Sequence, residues 1–581
     1  MMLTQYNYLF ALGVIFAALD AWNIGANDVA NSWATSVASR SLTLMQAMIG
    51  ASIFEFAGAL GVGARVTDTI RTKIVSPDHY VDQPPVLMLG MVCAIIGSSV
   101  WLTIATKFGM PVSTTHSLLG GVLGMGIASV GAEKVTWVAP ASAVGTAKIN
   151  TGVVSVFLAW IIAPGLSAGF ASILFLSTKY GVMLRKDPVK KAFALIPFYF
   201  GLTAILLAML LIWKGGSYEI NLTEGGIAGA IIGTGVGFAA LVSIFFMPWL
   251  WRVVVKEDWE LRWYHIFQGP LLWRRPEPTA PPADYDSPIR NFYEGHLTRE
   301  QLDARRAANN PEDVEAGRNT TSTEKEGGVA DSSLASSNAS EHGSERVAYK
   351  HKAIVGPKPE GAWYSGPVLF WYLKFALFHG VDQDVVSMQK KKDALSGDLE
   401  EAHARADHFD NKAEFMYSFL QILTAATASF THGANDISNA IGPFATIYDI
   451  WSTGGIPDKA PVPTWILAFG GAFLIIGLWT YGYNIMRNLG NKLTLNSPSR
   501  GFSMELGSAI TIIVATRLKL PVSTTQCITG AIVGVGLCNG TWRALNWRMI
   551  AWIYAGWIIT LPAAGLISGL LMGIILNAPR W

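Results

Sequence analysis

The chain has 581 residues, 51% of them hydrophobic and only 14% charged, and its formal net charge is +2. Soluble domains carry about 25% charged residues, so an ordinary soluble domain is excluded. Apolar runs long enough to span a bilayer recur along the chain, which points to an all-α polytopic membrane protein. No basic face or aromatic motif supports nucleic-acid binding. The three cysteines, Cys93, Cys527 and Cys538, lie in apolar stretches without metal-ligand spacing and read as small core residues.

The first span is expected from about Tyr8 to Asn23. Met1 to Phe10 has no Lys or Arg, so it lacks the charged region of a secretory signal and reads as part of a retained helix. A polar Gly25-Ala26-Asn27-Asp28 stretch then interrupts the apolar pattern before Val29 to Ala38. A second span, about Ala47 to Gly63, carries Glu55 at its centre. A loop with Arg65, Arg71 and Lys73 leads to a third, about Val86 to Thr106. Pro111 to Ala128 is short, Gly-rich and polar at its head, which suits a re-entrant hairpin or a broken helix. Val153 to Leu176 follows. Lys179, Arg185, Lys186, Lys190 and Lys191 then crowd one loop, which the positive-inside rule makes cytoplasmic. Spans at about Ala192 to Trp213 and Gly226 to Trp251 flank an outer loop with a sequon at Asn221.

Residues 1–251 form one membrane unit, 252–412 a cytoplasmic loop and 413–581 a second membrane unit. Trp259 to Arg275 suits an interfacial amphipathic segment. From about Pro276 to Glu360 too little apolar surface is available to offset the entropy of ordering, and most of it is expected to be disordered. Asn319 and Asn338 sit in sequons there, on the wrong side for use. Trp363 to Gly380 looks ordered, and Lys390-Lys391-Lys392 with the charges after it reads as a solvated helix. The second unit offers Phe415 to Phe430, Trp465 to Met486, Phe502 to Thr516 with Glu505, the short segment Pro521 to Leu537, and Met549 to Leu576.

Two motifs occur twice, in the same order. Gly25-Ala26-Asn27-Asp28, ending at Asn31, returns as Gly433-Ala434-Asn435-Asp436, ending at Asn439. Pro111-Val112-Ser113-Thr114-Thr115 returns as Pro521-Val522-Ser523-Thr524-Thr525. The chain is therefore a duplicated unit with an insert. The count of crossings before each copy gives the halves opposite orientations, a plan of secondary transporters.

A carboxylate at the bilayer midplane costs at least ~2.5–3.5 kcal/mol and persists only with a partner. Asp28 and Asp436 have no Lys or Arg nearby in sequence. A bound cation such as sodium fits, with the glycines letting the backbone unwind and offer carbonyls; the alternative is a polar clamp between helices. Each Ser-Thr-Thr run follows a proline suited to a helix start. Its hydroxyls and first-turn N–H groups make an anion cradle without fixed positive charge; ordinary capping is the alternative. Cations between the aspartates would relieve their repulsion of an anion, which is symport coupling stated as linkage. Glu55 and Glu505 are each placed on the second membrane helix of their half, facing inward. They would bind a cation, carry a proton, order the cradle or anchor helices. His116 matches Gln526, and His432 stands where the first copy has Ile24. Each histidine reads as a polar packing residue or, less simply, a titrating switch.

These paired motifs resemble the inorganic phosphate transporter (PiT) family, in particular its fungal sodium/phosphate symporters, over both membrane units but not the insert. The resemblance implies a carrier, not an enzyme, with about twelve transmembrane helices, two re-entrant hairpins and inverted-topology repeats. It implies elevator-like alternating access and a homodimer. It implies phosphate contacts from Asn27, Asp28, Thr114, Thr115, Asn435, Asp436, Thr524 and Thr525. Co-transported sodium, the only ligand ion implied besides phosphate, would sit among Asn23, Asn27, Asp28, Ser113, Asn435, Asp436 and Ser523, with Glu55 and Glu505 essential. It further implies the plasma membrane, with both termini outside. Some members use protons, so proton coupling stays open, as does a phosphate sensor signalling through the insert.

Overall fold

The computed structural model describes residues 2–71, 74–140, 145, 151–213, 222–282, 285, 287–309, 353–391, 393–456, 462–518, 520 and 522–578. Lys73, Lys392, Pro521 and the sequon asparagines at 221, 319 and 338 lie outside them. Among the described residues every regular element is helical except one bridge between Val75 and Val135. The first unit contributes α1 (Asn7–Ala38), α2 (Leu44–Arg71), α3 (Pro84–Lys107), α4 (Thr114–Val130), α5 (Val153–Thr178), α6 (Pro188–Ala208) and α7 (Glu224–Leu241, running on to Val254). After α8 (Gly366–Phe378), the second unit adds α9 (Asn411–Thr453), α10 (Thr464–Tyr481), α11 (Pro498–Arg517), α12 (Thr524–Leu537) and α13 (Trp547–Asn577). Eight helices, α1, α2, α3, α5, α6, α7, α10 and α13, are long and apolar enough to cross a membrane.

The helices pair reciprocally between units. α2 packs along α9 and α10 along α1; α4 packs on α13 and α12 on α5. Each unit's second helix thus lies against the other unit's motif helix. Glu505 lies on α11, which is the third long helix of its half, not the second as expected. Glu55 and Glu505 are therefore not equivalent positions.

The Asn-Asp motifs do not break their helices. α1 is continuous over 32 residues and α9 over 43. The glycines serve close approach instead of unwinding. A Cβ on Gly25 would stand 2.8 Å from the Leu474 carbonyl carbon of α10. One on Gly433 would stand 2.6 Å from Glu55 Cα on α2. Pro111 is also placed differently: α4 starts at Thr114 with Ser113 as its N-cap, so Pro111 precedes the cap and is not in the first turn.

Part of the stretch expected to be disordered is folded. Phe292 and Tyr293 are buried with Ala406 and Leu495, and a helix spans Arg299–Asn309. Local apolar content underestimated it because the anchors are polar. Arg40 pairs with Glu294 at 2.7 Å, and Tyr293 Oη donates to Glu414 at 2.7 Å. The lysines at 390 and 391 lie outside any helix; the charges after them give only Leu399–Ala404, whose inner face is buried. Lys179 is buried against Asp407 at 2.7 Å and so is not part of the solvated basic loop. The ordered segment Trp363 to Gly380 contains α8, and Trp263–Arg274 forms 3-10 turns with exposed Trp263, Phe267 and Leu271.

His403 is buried here beside His296, their Nδ1 atoms 3.2 Å apart. Burial pushes His403 down to about 4, against a hydrogen bond with the Asn491 carbonyl and with help from the Lys390 and His408 charges. An unfolded histidine titrates near ~6.5. The stability it contributes is thus full above that pH and is lost as pH falls through about 4. Thermal melts of the purified protein are expected to weaken steadily below about pH 6.5, and less steeply in His403→Gln. Gly433→Ala is expected to cost about 1–3 kcal/mol through overpacking against α2, read as a lower melting temperature.

Candidate functional site

The Ser-Thr-Thr runs sit at the N-termini of α4 and α12, and the Asn-Asp motifs sit mid-way along α1 and α9. All four meet at one buried point. Thr114 Oγ1 donates to Asp28 Oδ2 at 2.8 Å, and Thr524 Oγ1 donates to Asp436 Oδ2 at 2.8 Å. The same units are then laced together. Thr525 Oγ1 reaches Asp28 Oδ1 at 3.2 Å, and Thr115 Oγ1 reaches Asp436 Oδ1 at 3.5 Å. Asn31 Nδ2 donates to Thr524 (3.2 Å) and Thr525 (2.8 Å); Asn439 Nδ2 donates to Thr114 (3.2 Å) and Thr115 (3.1 Å). Asp28, Asp436 and all four threonines are buried. The N-termini of α4 and α12 converge here with the hydroxyls, an arrangement suited to an anion.

The sequence motif ended at Asn31 and Asn439 but gave them no role. Their role follows from spacing: three residues beyond each aspartate, they share its helical face. His432 was also underestimated. Its Nε2 lies 3.2 Å from Asp436 Oδ2 and 3.7 Å from Asp28 Oδ2, and its Nδ1 lies 3.0 Å from Glu55 Oε2. Glu55, which also accepts from Ser429 at 3.3 Å, therefore joins the central cluster from α2. Ligand atoms of Asp28, His432 and Asp436 lie within 4.8 Å of one another, close enough to hold one cation.

Other expected residues are placed elsewhere. Glu505 is fully satisfied by neutral donors: Thr35 (2.6 Å), Ser36 (2.7 Å), Gln421 (3.2 Å) and Thr424 (2.6 Å). It clamps α1 to α9, on the order of 10 Å along α1 from Asp28 at 1.5 Å per residue. Asn27 braces the lead-in to α4, with its Oδ1 accepting from the Val112 N–H at 3.1 Å and its Nδ2 donating to the Met110 carbonyl at 3.0 Å. Asn23 donates to Thr103 Oγ1 at 3.0 Å, away from the centre. Ser113 accepts from the His116 N–H at 3.2 Å as an N-cap, Ser523 is buried at the matching cap of α12, and Asn435 is half-buried beside Asp436. His116 Nδ1 accepts from Trp160 at 3.1 Å, as a packing residue does, and Gln526 is buried at the matching place.

Residues 24–568 match the phosphate transporter family. The chain belongs to that family. It is 63% identical to the phosphate-repressible phosphate permease pho-4 of Neurospora crassa, over 100% of this chain and 99% of that protein. It is 29% identical to the sodium-dependent phosphate transporter 2 of Felis catus, over 99% of each. A solved structure titled as the sodium-dependent phosphate transporter shares the fold, with a TM-score of 0.62 and 24% identity over 98% of this chain and 100% of that one. This phosphate transporter is thus a multi-pass membrane carrier and not an enzyme.

In this transporter Asn31 and Asn439 should matter alike. Asn31→Ala or Asn439→Ala each removes two hydrogen bonds between units, worth about 1–3 kcal/mol together. Each is expected to lower phosphate uptake at subsaturating phosphate by about 5- to 150-fold without loss of surface expression, measured with labelled phosphate.

Proposed function

We propose that the chain is a sodium-coupled inorganic phosphate symporter working by elevator-like alternating access, with one central phosphate site built by both repeats. The observation that carries this is the cross-laced cluster of Asp28, Asp436, Thr114, Thr115, Thr524 and Thr525. Two helix N-termini face this point, and four hydroxyls that donate to the aspartates here would turn to a tetrahedral oxyanion once cations take over those carboxylates. The same point holds three carboxylates, Asp28, Asp436 and Glu55, against one imidazole, His432. Even with His432 protonated, carboxylate charge is in excess. Two unit charges 4 Å apart at an effective dielectric of about 20 interact by about 4 kcal/mol. Phosphate entry therefore requires cations alongside it, and Asp, Asn and Ser oxygens suit a hard ion such as sodium. Sodium in this role is cargo, bound among Asp28, Asp436 and the neighbouring Asn27, Asn435, Ser113 and Ser523.

The reciprocal pairing of α2 with α9 and α10 with α1 supports inverted repeats at 1–251 and 413–581. α4 and α12, of 17 and 14 residues, are short and, with their extended lead-ins, fit broken crossings. Counted as crossings with α9 and α11, they bring the eight long apolar helices of the described residues to twelve. Lys179, at the head of the basic loop, pairs with Asp407 of the 252–412 insert, so both belong on one face. The positive-inside rule makes that face cytoplasmic, with both termini opposite, in the plasma membrane. α7 is the least buried span and offers apolar surface for lipid or a second copy in a homodimer.

The test is labelled phosphate uptake into liposomes holding purified protein. Uptake is expected to stop when external sodium is replaced by choline, and Asp28→Asn is expected to abolish sodium-driven uptake while leaving expression intact. Uptake that survives without sodium and follows an imposed pH gradient would transfer the coupling role to protons, with Glu55 and His432 as carriers.

A further inference from the structure

α1 carries a second polar level, nearer its N-terminus. Asp20, Asn23, Asn27 and Asn31 recur at spacings of a helical face. Asp20 is fully buried, and the corresponding position of the second repeat is Ala428, so the duplication did not supply it. Ser99 Oγ donates to Asp20 Oδ1 at 3.2 Å. Asp20 Oδ2 has no partner. Ser98 Oγ, on α3, reaches the same carboxyl, though not with good hydrogen-bond geometry, and is also fully buried. No cationic side chain acts on Asp20 among the described residues.

The residues around Asp20 are themselves hydrogen-bonded. Asn23 Nδ2 holds the Ser99 carbonyl at 3.2 Å and Thr103 Oγ1 at 3.0 Å. Ser117 of α4 donates to the Ser98 carbonyl at 3.4 Å, and Ser99 Oγ lies 3.1 Å from the Phe16 carbonyl. A buried carboxylate beside two serine hydroxyls, with no cationic side chain acting on it among the described residues, is a set of oxygen ligands short of a positive charge.

We propose that Asp20, Ser98 and Ser99 form a further monovalent-cation site that binds sodium, one level above the central cluster on the N-terminal side of α1. The proposal rests on the sodium-coupled reading above. Asp20 lies roughly 12 Å along α1 from Asp28 at 1.5 Å per residue. That is near enough for the two carboxylates to raise each other's demand for a counter-ion, so a sodium held at Asp20 weakens the pull at Asp28 and the reverse. The site is then a station for the ion on its way to or from the centre, present in one repeat only.

The experiment is equilibrium binding of sodium-22 to the purified full chain in detergent, without phosphate, by scintillation proximity. Asp20→Asn is expected to bind one sodium fewer per chain, and Ser98→Ala to weaken one sodium about tenfold. Asp28→Asn is expected to lose central sodium and keep the ion at Asp20. Wild-type stoichiometry and affinity in both Asp20→Asn and Ser98→Ala would overturn the proposal, and would leave a proton shared between Asp20 and Ser98 as what neutralises the carboxyl. Loss confined to Asp28→Asn sinks this site while the sodium-coupled reading stands; no sodium binding by the wild type sinks both. Should Asp20→Asn not yield monodisperse protein, Ser98→Ala decides alone, since it removes a single hydroxyl.

Discussion

Asp28 and Asp436 are held in the packed interior close enough for one imidazole to face both, and Glu55 is brought to the other side of that imidazole. Such a cluster opposes itself electrostatically, so the surrounding structure must hold it in place. The hydroxyls of α4 and α12 do part of this, because each carboxylate accepts from a threonine of its own repeat and from one of the other. Glu505 does another part. It ties α1 to α9 with four donors at a level where no ligand is needed, and so fixes the separation of the two aspartate helices. The close passage of Gly25 over Leu474 and of Gly433 over Glu55 seats each aspartate helix against the second helix of the other repeat.

Much of this was legible in the sequence, and the rest was hidden for identifiable reasons. Repetition exposed the Asn-Asp and Ser-Thr-Thr motifs, and their placement at one point follows once the two halves pack on each other. What repetition cannot reveal is whatever occurs once. His432 has no counterpart, so it read as packing, although its place four residues before Asp436 puts both on one helical face. Asp20 has none either. Glu55 and Glu505 looked like a pair because each sits in an apolar helix, yet they lie on α2 and α11, which occupy different places in the repeat. Composition also misled on the backbone. Gly-Ala beside Asn-Asp suggested unwinding, whereas the glycines mark helix crossings, a long-range contact that local pattern does not encode. The folded stretch around Tyr293 was missed for the same reason, its anchors being Arg40, Glu414 and Asn411, far off in the chain.

The singular residues give direction to an otherwise two-fold plan. A site built by equivalent repeats would be electrostatically even across its pseudo-axis. His432 and Glu55 load one side with titratable groups, and Asp20 adds an isolated carboxyl on the α1 side only. A carrier that couples an anion to cations gains from such unevenness, because ions then bind in an order and not at random. On the sodium-coupled reading the order matters energetically, since each cation bound first would lower the repulsion met by the phosphate that follows.

The cross-lacing also bears on how the site would move. Separating the repeats at the centre breaks the bonds of Asn31 and Asn439 to the opposite threonines as well as those between Asp28 and Thr525. The outer faces of α4 and α12 present no such obstacle. α4 meets α13 through Gly120 and Gly124, where an added Cβ would run into the Leu561 and Gly565 backbones. α12 meets α5 through Gly530 and Gly534 against Pro164 and Ala168 in the same way. Those contacts are backbone-close and glycine-lined, so they resist shear less than the laced centre does. On the elevator-like reading proposed above, the bonded core would move as one body past these smoother partners, and the central loop is joined to it near α1 at Arg40 and near α5 at Lys179.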